Sequence, residues 1–250
     1  RAPVIWPWAL IALAWALALA AELTHQDYLI NHDYLLEESH LPLPLALLIF
    51  LACWQVMLAG MMLPASLPMM RLMTHAARRQ RHTAATLALF VAAYAAVWTA
   101  FAAAAFFGDI LVHWSVDHWS GLAENSYLIG AGTLALAGLY QVSPLKARCL
   151  TGRRHRIGLF VRHYRAGAGP AWRLGLRHGL SSLSSCWALM LVMFGIGVGG
   201  LAWMAVLAGM VWVEQMAPNG KLAAVCVGVG LLALAAAWVV APLPVGALSL

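Results

Sequence analysis

Residues 54–73, WQVMLAGMMLPASLPMMRLM, form an apolar stretch with six methionines and two prolines. No Asp, Glu, Lys or Arg occurs between Glu38 and Arg71, and about 20 apolar residues suffice to cross the hydrocarbon core of a bilayer. The stretch therefore predicts a membrane helix. Since proline removes a backbone donor and clashes with the preceding turn, Pro64 and Pro68 predict a kink near one membrane face.

The composition of the whole chain supports the same class. Of its 250 residues 63% are hydrophobic and only 10% are charged, which is too apolar for a soluble fold. The apolar runs are long and do not alternate, so they indicate helices rather than barrel strands. We expect an all-α, polytopic transmembrane bundle forming one domain, with spans at about 4–23, 44–63, 83–107, 126–142, 180–199, 201–216 and 221–241.

Basic residues predict the orientation. Of the 15 Lys and Arg residues, four lie in 71–81 and nine in 146–177, whereas the polar loops 22–41 and 108–125 contain none. Loops rich in Lys and Arg stay in the cytoplasm. The N-terminus is therefore expected inside, with the two acidic loops outside. The run from Lys146 to Arg177 is explained by this rule, so no nucleic-acid partner is expected.

The first acidic loop, 22–41, is rich in histidine. His25, His32 and Asp33 offer imidazole and carboxylate groups, which are competent ligands for copper, zinc and other divalent ions. The alternative is a solvated loop whose charges keep it out of lipid.

The second acidic loop, 108–125, carries a further candidate cluster. His113 and Asp117 would share one face if the segment were helical, and His118 is adjacent. Trp114 and Trp119 fit an aromatic belt at the membrane edge. The cluster therefore indicates either a metal site on the outer face or an amphipathic interfacial helix.

Methionines within the second span offer softer donors. Met57 and Met61 are one helical turn apart and share a face, and thioether sulfur suits Cu(I). Met190 and Met193 add sulfur in the fifth span. Methionine is also a common filler of irregular helix interfaces, so core packing is the alternative.

The remaining polar groups argue against an enzyme. The sequence lacks the Gly-x-Ser-x-Gly and His-Glu-x-x-His patterns, and it has no nucleotide-binding loop. Haem is not expected, because axial histidines would have to lie within spans and every histidine is predicted in a loop or at a span end. Glu214 is predicted to reach the cytoplasmic surface or pair with Lys221.

Several ordered motifs resemble a bacterial family of predicted metal-binding integral membrane proteins, domain of unknown function 2182. They are MMLPASLP at 61–68, Tyr140-Gln141 with Pro144-Leu145-Lys146 and Cys149-Leu150, GLRHG at 175–179, CWALM at 186–190, Trp203-Met204 and Glu214. The resemblance covers roughly residues 44–221. It implies a polytopic protein of the bacterial inner membrane with a metal-related role. Arg153, Ser182 and Ser185 stand where the family pattern has cysteines, which favours histidine or methionine ligands over thiolates.

Two functions follow from these observations. The first is a metal-handling membrane protein, with copper as the expected metal, that captures the ion on outer His and Asp residues and holds it deeper on methionine. The second is a non-catalytic accessory subunit of a larger membrane complex such as a metalloenzyme. Membrane lipid is the expected neighbour in both cases, together with other integral membrane subunits in the second.

Overall fold

A computed structural model describes residues 5–24, 41–77, 83–125, 127–152, 167–196 and 201–241. Every regular element in these ranges is a helix, which confirms the all-α class. The helices are α1 (Trp6–Leu23), α2 (Leu43–Met61), α3 (Leu63–Ala77), α4 (Thr83–His118), α5 (Ser120–Ala123), α6 (Tyr127–Val142), α7 (Pro144–Gly152), α8 (Ala168–Ile196), α9 (Leu201–Met216) and α10 (Gly220–Val240).

Four helices in the described part of the chain are long and apolar enough to cross a membrane. They are α1, α2, residues Ala84–Val116 of α4, and α10. The pair α6 and α7 is bent by 58° and provides a fifth candidate span, while α9 is apolar but shorter. The described residues contain no strand, and this set of long apolar helices is typical of a helical membrane protein.

The predicted break at the prolines is present. Helix α2 ends at Met61 and α3 begins at Leu63, with Met62 between them. Pro64 lies in the first turn of α3, where no intrahelical N–H bond is lost, and Pro68 lies inside α3. Met61 and Met62 are both buried at this break.

The alanine-rich helix α4 packs closely against α8. One stripe of α4 is completely enclosed, with a buried residue every four positions: Phe90, Tyr94, Trp98, Ala102 and Phe106. On α8, a Cβ at Gly175 would overlap the carbonyl oxygen of Phe90, and one at Gly179 would lie 3.0 Å from Val97. Small residues thus let the two backbones approach closely.

A second close crossing joins α6 to α10. A Cβ added to Gly138 would lie 2.7 Å from Leu232 Cγ and 2.9 Å from the carbonyl oxygen of Gly228. Gly228 is equally confined by the Gln141 side chain. These glycines bring the end of α6, with its polar residues, against the bundle.

Helix α4 extends beyond the predicted span. It continues through Asp109 and His113 to His118 and has 36 residues, or about 54 Å at 1.5 Å per residue. The hydrocarbon core is about 30 Å thick, so the polar end of the helix reaches past it. Residues 108–118 contain no proline to stop the helix, and much of the predicted loop is therefore helical.

Candidate metal centre

A small cavity lies where α2, α4 and α8 meet. Its volume is about 10 Å³, at the lower limit for one water molecule. The lining residues are Trp54, Met57, Leu58, Met61, Met62, Trp98 and Met190. Four of the seven are methionines, and none carries a charge.

The local sequence explains why so much sulfur meets here. Met57 and Met61 are one turn apart on α2, and the predicted shared face is confirmed because both line the cavity. The break after Met61 brings Met62 to the same place. Helix α8 contributes Met190, which is buried, whereas Met193 packs in the same apolar cluster without lining the cavity.

A thiol lies next to the cavity. Cys186 Sγ is 3.9 Å from Met62 Sδ and donates a hydrogen bond to the carbonyl oxygen of Ser182 at 3.0 Å. In the sequence, Cys186 is marked only by its place in the CWALM motif at 186–190. Its contact with Met62 joins two segments 124 residues apart, so no local pattern could reveal it.

Aromatic rings surround the methionines. The ring centroids of Trp54 and Trp98 are 6.5 Å apart. Phe101 lies 6.0 Å from Trp54 and meets Trp98 edge-on at 5.8 Å, while Phe50 is 5.9 Å from Trp54. The cavity therefore offers soft, neutral sulfur donors in a rigid aromatic wall, which suits a soft ion such as Cu(I) better than a hard divalent ion.

The histidines near the end of α4 lie far from this cavity. His113 follows Trp98 by 15 residues along α4, about 22 Å of helix axis. His113 Nδ1 is 3.0 Å from the carbonyl oxygen of Asp109 and 3.6 Å from its carboxylate. His118 Nδ1 is 2.8 Å from the Trp114 carbonyl oxygen, and its ring stacks on the Trp114 indole with centroids 4.4 Å apart.

These bonds define the imidazole tautomers. A carbonyl oxygen only accepts, so Nδ1 carries the hydrogen in both rings, and the neutral imidazoles present their lone pair at Nε2. The two rings each bond to their own preceding turn. Within the described ranges, no group of three His, Cys, Asp or Glu side chains could hold a metal ion. The Asp117 side chain, and His25, His32 and Asp33 entirely, lie outside those described ranges.

A buried polar cluster joins α6, α7, α8 and α9. Lys146 Nζ lies 2.6 Å from Glu214 Oε2, and it also donates to the carbonyl oxygen of Ser185. Gln141 Nε2 donates to Glu214 Oε1 at 2.5 Å. The predicted pairing of Glu214 with Lys221 or the surface is therefore wrong. Lys146, predicted in a cytoplasmic loop, is instead buried on α7.

Hydroxyl groups continue this cluster toward the sulfur-lined cavity. Gln215 Nε2 donates to Ser185 Oγ at 3.3 Å, and Ser185 Oγ donates to the Ser182 carbonyl oxygen at 2.7 Å. That same carbonyl oxygen accepts from Cys186, and Ser182 Oγ is 3.1 Å from the Tyr94 hydroxyl. Ser182 and Ser185 thus connect the polar cluster by hydrogen bonds to Cys186, which contacts Met62 at the cavity.

One histidine is buried among the helices. His178 lies within helix α8, and its ring packs 5.5 Å from those of Phe90 and Tyr94. Its Nε2 is 3.0 Å from Ser66 Oγ. The expectation of no haem stays a prediction.

The family model described as PpoB2, copper chaperone, matches residues 51–238, about three quarters of the 250-residue chain. The matched range includes every residue that lines the cavity. No curated protein and no solved structure matches the chain. The chain belongs to the PpoB2 copper chaperone family.

Proposed function

We propose that this protein handles copper in the membrane by holding Cu(I) in the cavity lined by Met57, Met61, Met62 and Met190. The observation that supports the proposal is the convergence of four thioethers from α2 and α8 on one cavity, in a chain whose family is described as copper chaperones.

The chemistry of the cavity favours the lower oxidation state. Thioether sulfur is soft and neutral and prefers Cu(I), whereas Cu(II) and Zn favour imidazole and carboxylate. A ligand set of methionines also binds without releasing protons from the ligands. The ion can therefore be loaded and unloaded without proton transfer to or from its ligands.

The outer face supplies the capture step of this proposal. His113, Asp117 and His118, with His25, His32 and Asp33 of the first acidic loop, are the candidate ligands that take up copper before it reaches Met57 and Met61. The Nε2 atoms of His113 and His118 have the lone pair that a metal requires. The distance of about 22 Å along α4 makes capture and deep binding two separate steps.

The membrane arrangement completes the proposal. Seven spans in a bacterial inner membrane, with the N-terminus in the cytoplasm, would expose the end of α4 to the outside. Arg71, in the second half of α3, lies 5.8 Å over the Trp8 ring near the start of α1. This contact agrees with antiparallel packing of α1 against α2 and α3. The protein would act without catalysis and pass copper to another membrane protein.

Metal content of the detergent-purified full chain tests the proposal. After anaerobic incubation with Cu(I) and removal of excess, we expect one copper per chain by mass spectrometry. Met57→Leu/Met61→Leu should bind at least tenfold more weakly. The matched control is Met69→Leu/Met73→Leu, since Met69 and Met73 are also one turn apart and buried but lie in a different cluster.

Two results would contradict the proposal. One is wild-type protein that retains no copper. The other is copper binding that the control substitutions weaken as much as the substitutions at Met57 and Met61 do. If copper were retained and lost only upon substitution of the histidines near the end of α4, the copper site would lie there and not in the cavity.

A further inference from the structure

We infer that the cavity selects a monovalent ion, with the indole rings of Trp54 and Trp98 acting as cation–π partners in place of an anionic ligand. The inference rests on the proposed function, because it specifies how the same site recognises its copper. It assigns a binding role to two residues that sequence analysis placed in no site.

The lining of the cavity carries no charge. All seven lining side chains are neutral, so an ion in the cavity has no opposite charge in direct contact. Transfer of an ion from water into a medium of low dielectric constant is costly, and the Born energy increases with the square of the charge. A divalent ion would therefore be excluded far more strongly than a monovalent one.

The aromatic faces at the cavity replace the missing anion. The face of an aromatic ring carries partial negative charge, and tryptophan provides the strongest attraction for a cation, above all in a desolvated site. Trp98 is completely buried and Trp54 is 4% exposed. The two rings come from different helices, α4 and α2, and both line the cavity. They can contact the ion together with the sulfur atoms.

The aromatic rings at the cavity are held in position by one another. Trp54 and Trp98 are tilted by 39° to each other at 6.5 Å, and Phe101 packs against both. The rings are therefore held in place before an ion arrives, so that binding costs little side-chain entropy. Cys186 contacts Met62 but does not line the cavity, and a thiolate ligand at Cys186 is the rival explanation for charge balance.

The test uses Ag(I), a soft monovalent ion that does not change oxidation state, on the detergent-purified full chain. Two quantities are measured: the affinity, by competition with a chelator, and the near-ultraviolet difference absorption of indole upon binding. Zn(II) serves as the divalent comparison. The variants are Trp54→Leu, Trp98→Leu and Cys186→Ser, with Trp238→Leu as matched control, because Trp238 is equally buried but on α10.

We expect Ag(I) to produce an indole difference band and Zn(II) none. Trp98→Leu should reduce the band and weaken Ag(I) binding roughly 10- to 30-fold, while Trp238→Leu leaves both unchanged. Trp98→Phe, which keeps an aromatic face and preserves the fold better, should weaken binding only a few-fold. The indole band of the wild-type chain reports contact between the ion and the rings directly. It is therefore independent of any loss of packing that a substitution causes.

Three outcomes would overturn the inference while leaving the proposed function intact. They are Ag(I) binding without an indole band, wild-type affinity in the double variant Trp54→Leu/Trp98→Leu, and loss of binding in Cys186→Ser but not in the tryptophan variants. No Ag(I) or Cu(I) binding by the wild-type chain would instead overturn the proposed function itself.

Discussion

The ammonium group of Lys146 lies 2.6 Å from the Glu214 carboxylate, and each side chain is only 1% exposed. The pair connects α7 to α9, and Gln141 of α6 also bonds to Glu214. Ion pairs buried in this way stabilise a fold little relative to apolar residues, but the loss of one partner leaves an isolated buried charge.

Substitution of one member of this pair should therefore destabilise the protein strongly. Glu214→Gln leaves the Lys146 charge uncompensated, and we expect a loss of about 3–5 kcal/mol, measured as a lower midpoint of thermal unfolding in detergent. Lys146→Met/Glu214→Met should recover most of the loss. Lys221→Met is the control, since Lys221 is exposed. Equal loss in this control would instead support the pairing of Glu214 with Lys221.

The crossing of α6 and α10 provides a second prediction. Gly138→Ala should destabilise the protein by about 1–3 kcal/mol, because the new methyl group would overlap Leu232 and the Gly228 backbone. Gly132→Ala, on the same helix with open space around it, should be neutral or slightly stabilising. Thermal unfolding of the two variants in one detergent makes the comparison. Equal effects would mean that the crossing is not close.

The histidines near the end of α4, His113 and His118, provide a third prediction. His113→Ala/His118→Ala should leave the copper in the cavity but abolish a second, weaker copper site, since these rings lie about 22 Å along α4 from Trp98. His75→Ala is the matched control, because His75 Nδ1 makes the same bond to the carbonyl oxygen four residues earlier. Copper titration followed by mass spectrometry measures both sites. If the His113→Ala/His118→Ala variant still bound two copper ions, these histidines would not be copper ligands.

Much of the helical architecture could be predicted from apolar runs and prolines. The break after Met61 and the spans of α1, α2 and α10 follow from local sequence. The extension of α4 to His118 does not, because polar residues at the end of a long helix resemble a loop in composition. Likewise α8 begins at Ala168, before Arg173 and Arg177, because charged residues are compatible with helix outside the apolar core.

The candidate site could be predicted only in part. Met57 and Met61 share a helical face by spacing alone, and this relationship is present in the cavity. Trp98 could not be assigned to the cavity, and the contact of Cys186 with Met62 could not be predicted, because their neighbours are distant along the chain. Lys146 shows the same limit, since the basic loop around it predicts exposure, while its buried partner Glu214 lies 68 residues away.

The most direct test of the central claim is X-ray absorption spectroscopy at the copper edge of the anaerobic, copper-loaded full chain. We predict an edge typical of Cu(I) and a first coordination shell composed of sulfur, with fewer sulfur neighbours in Met57→Leu/Met61→Leu than in Met69→Leu/Met73→Leu. A shell of nitrogen and oxygen, unchanged by the substitutions at Met57 and Met61, would contradict copper binding in the methionine-lined cavity.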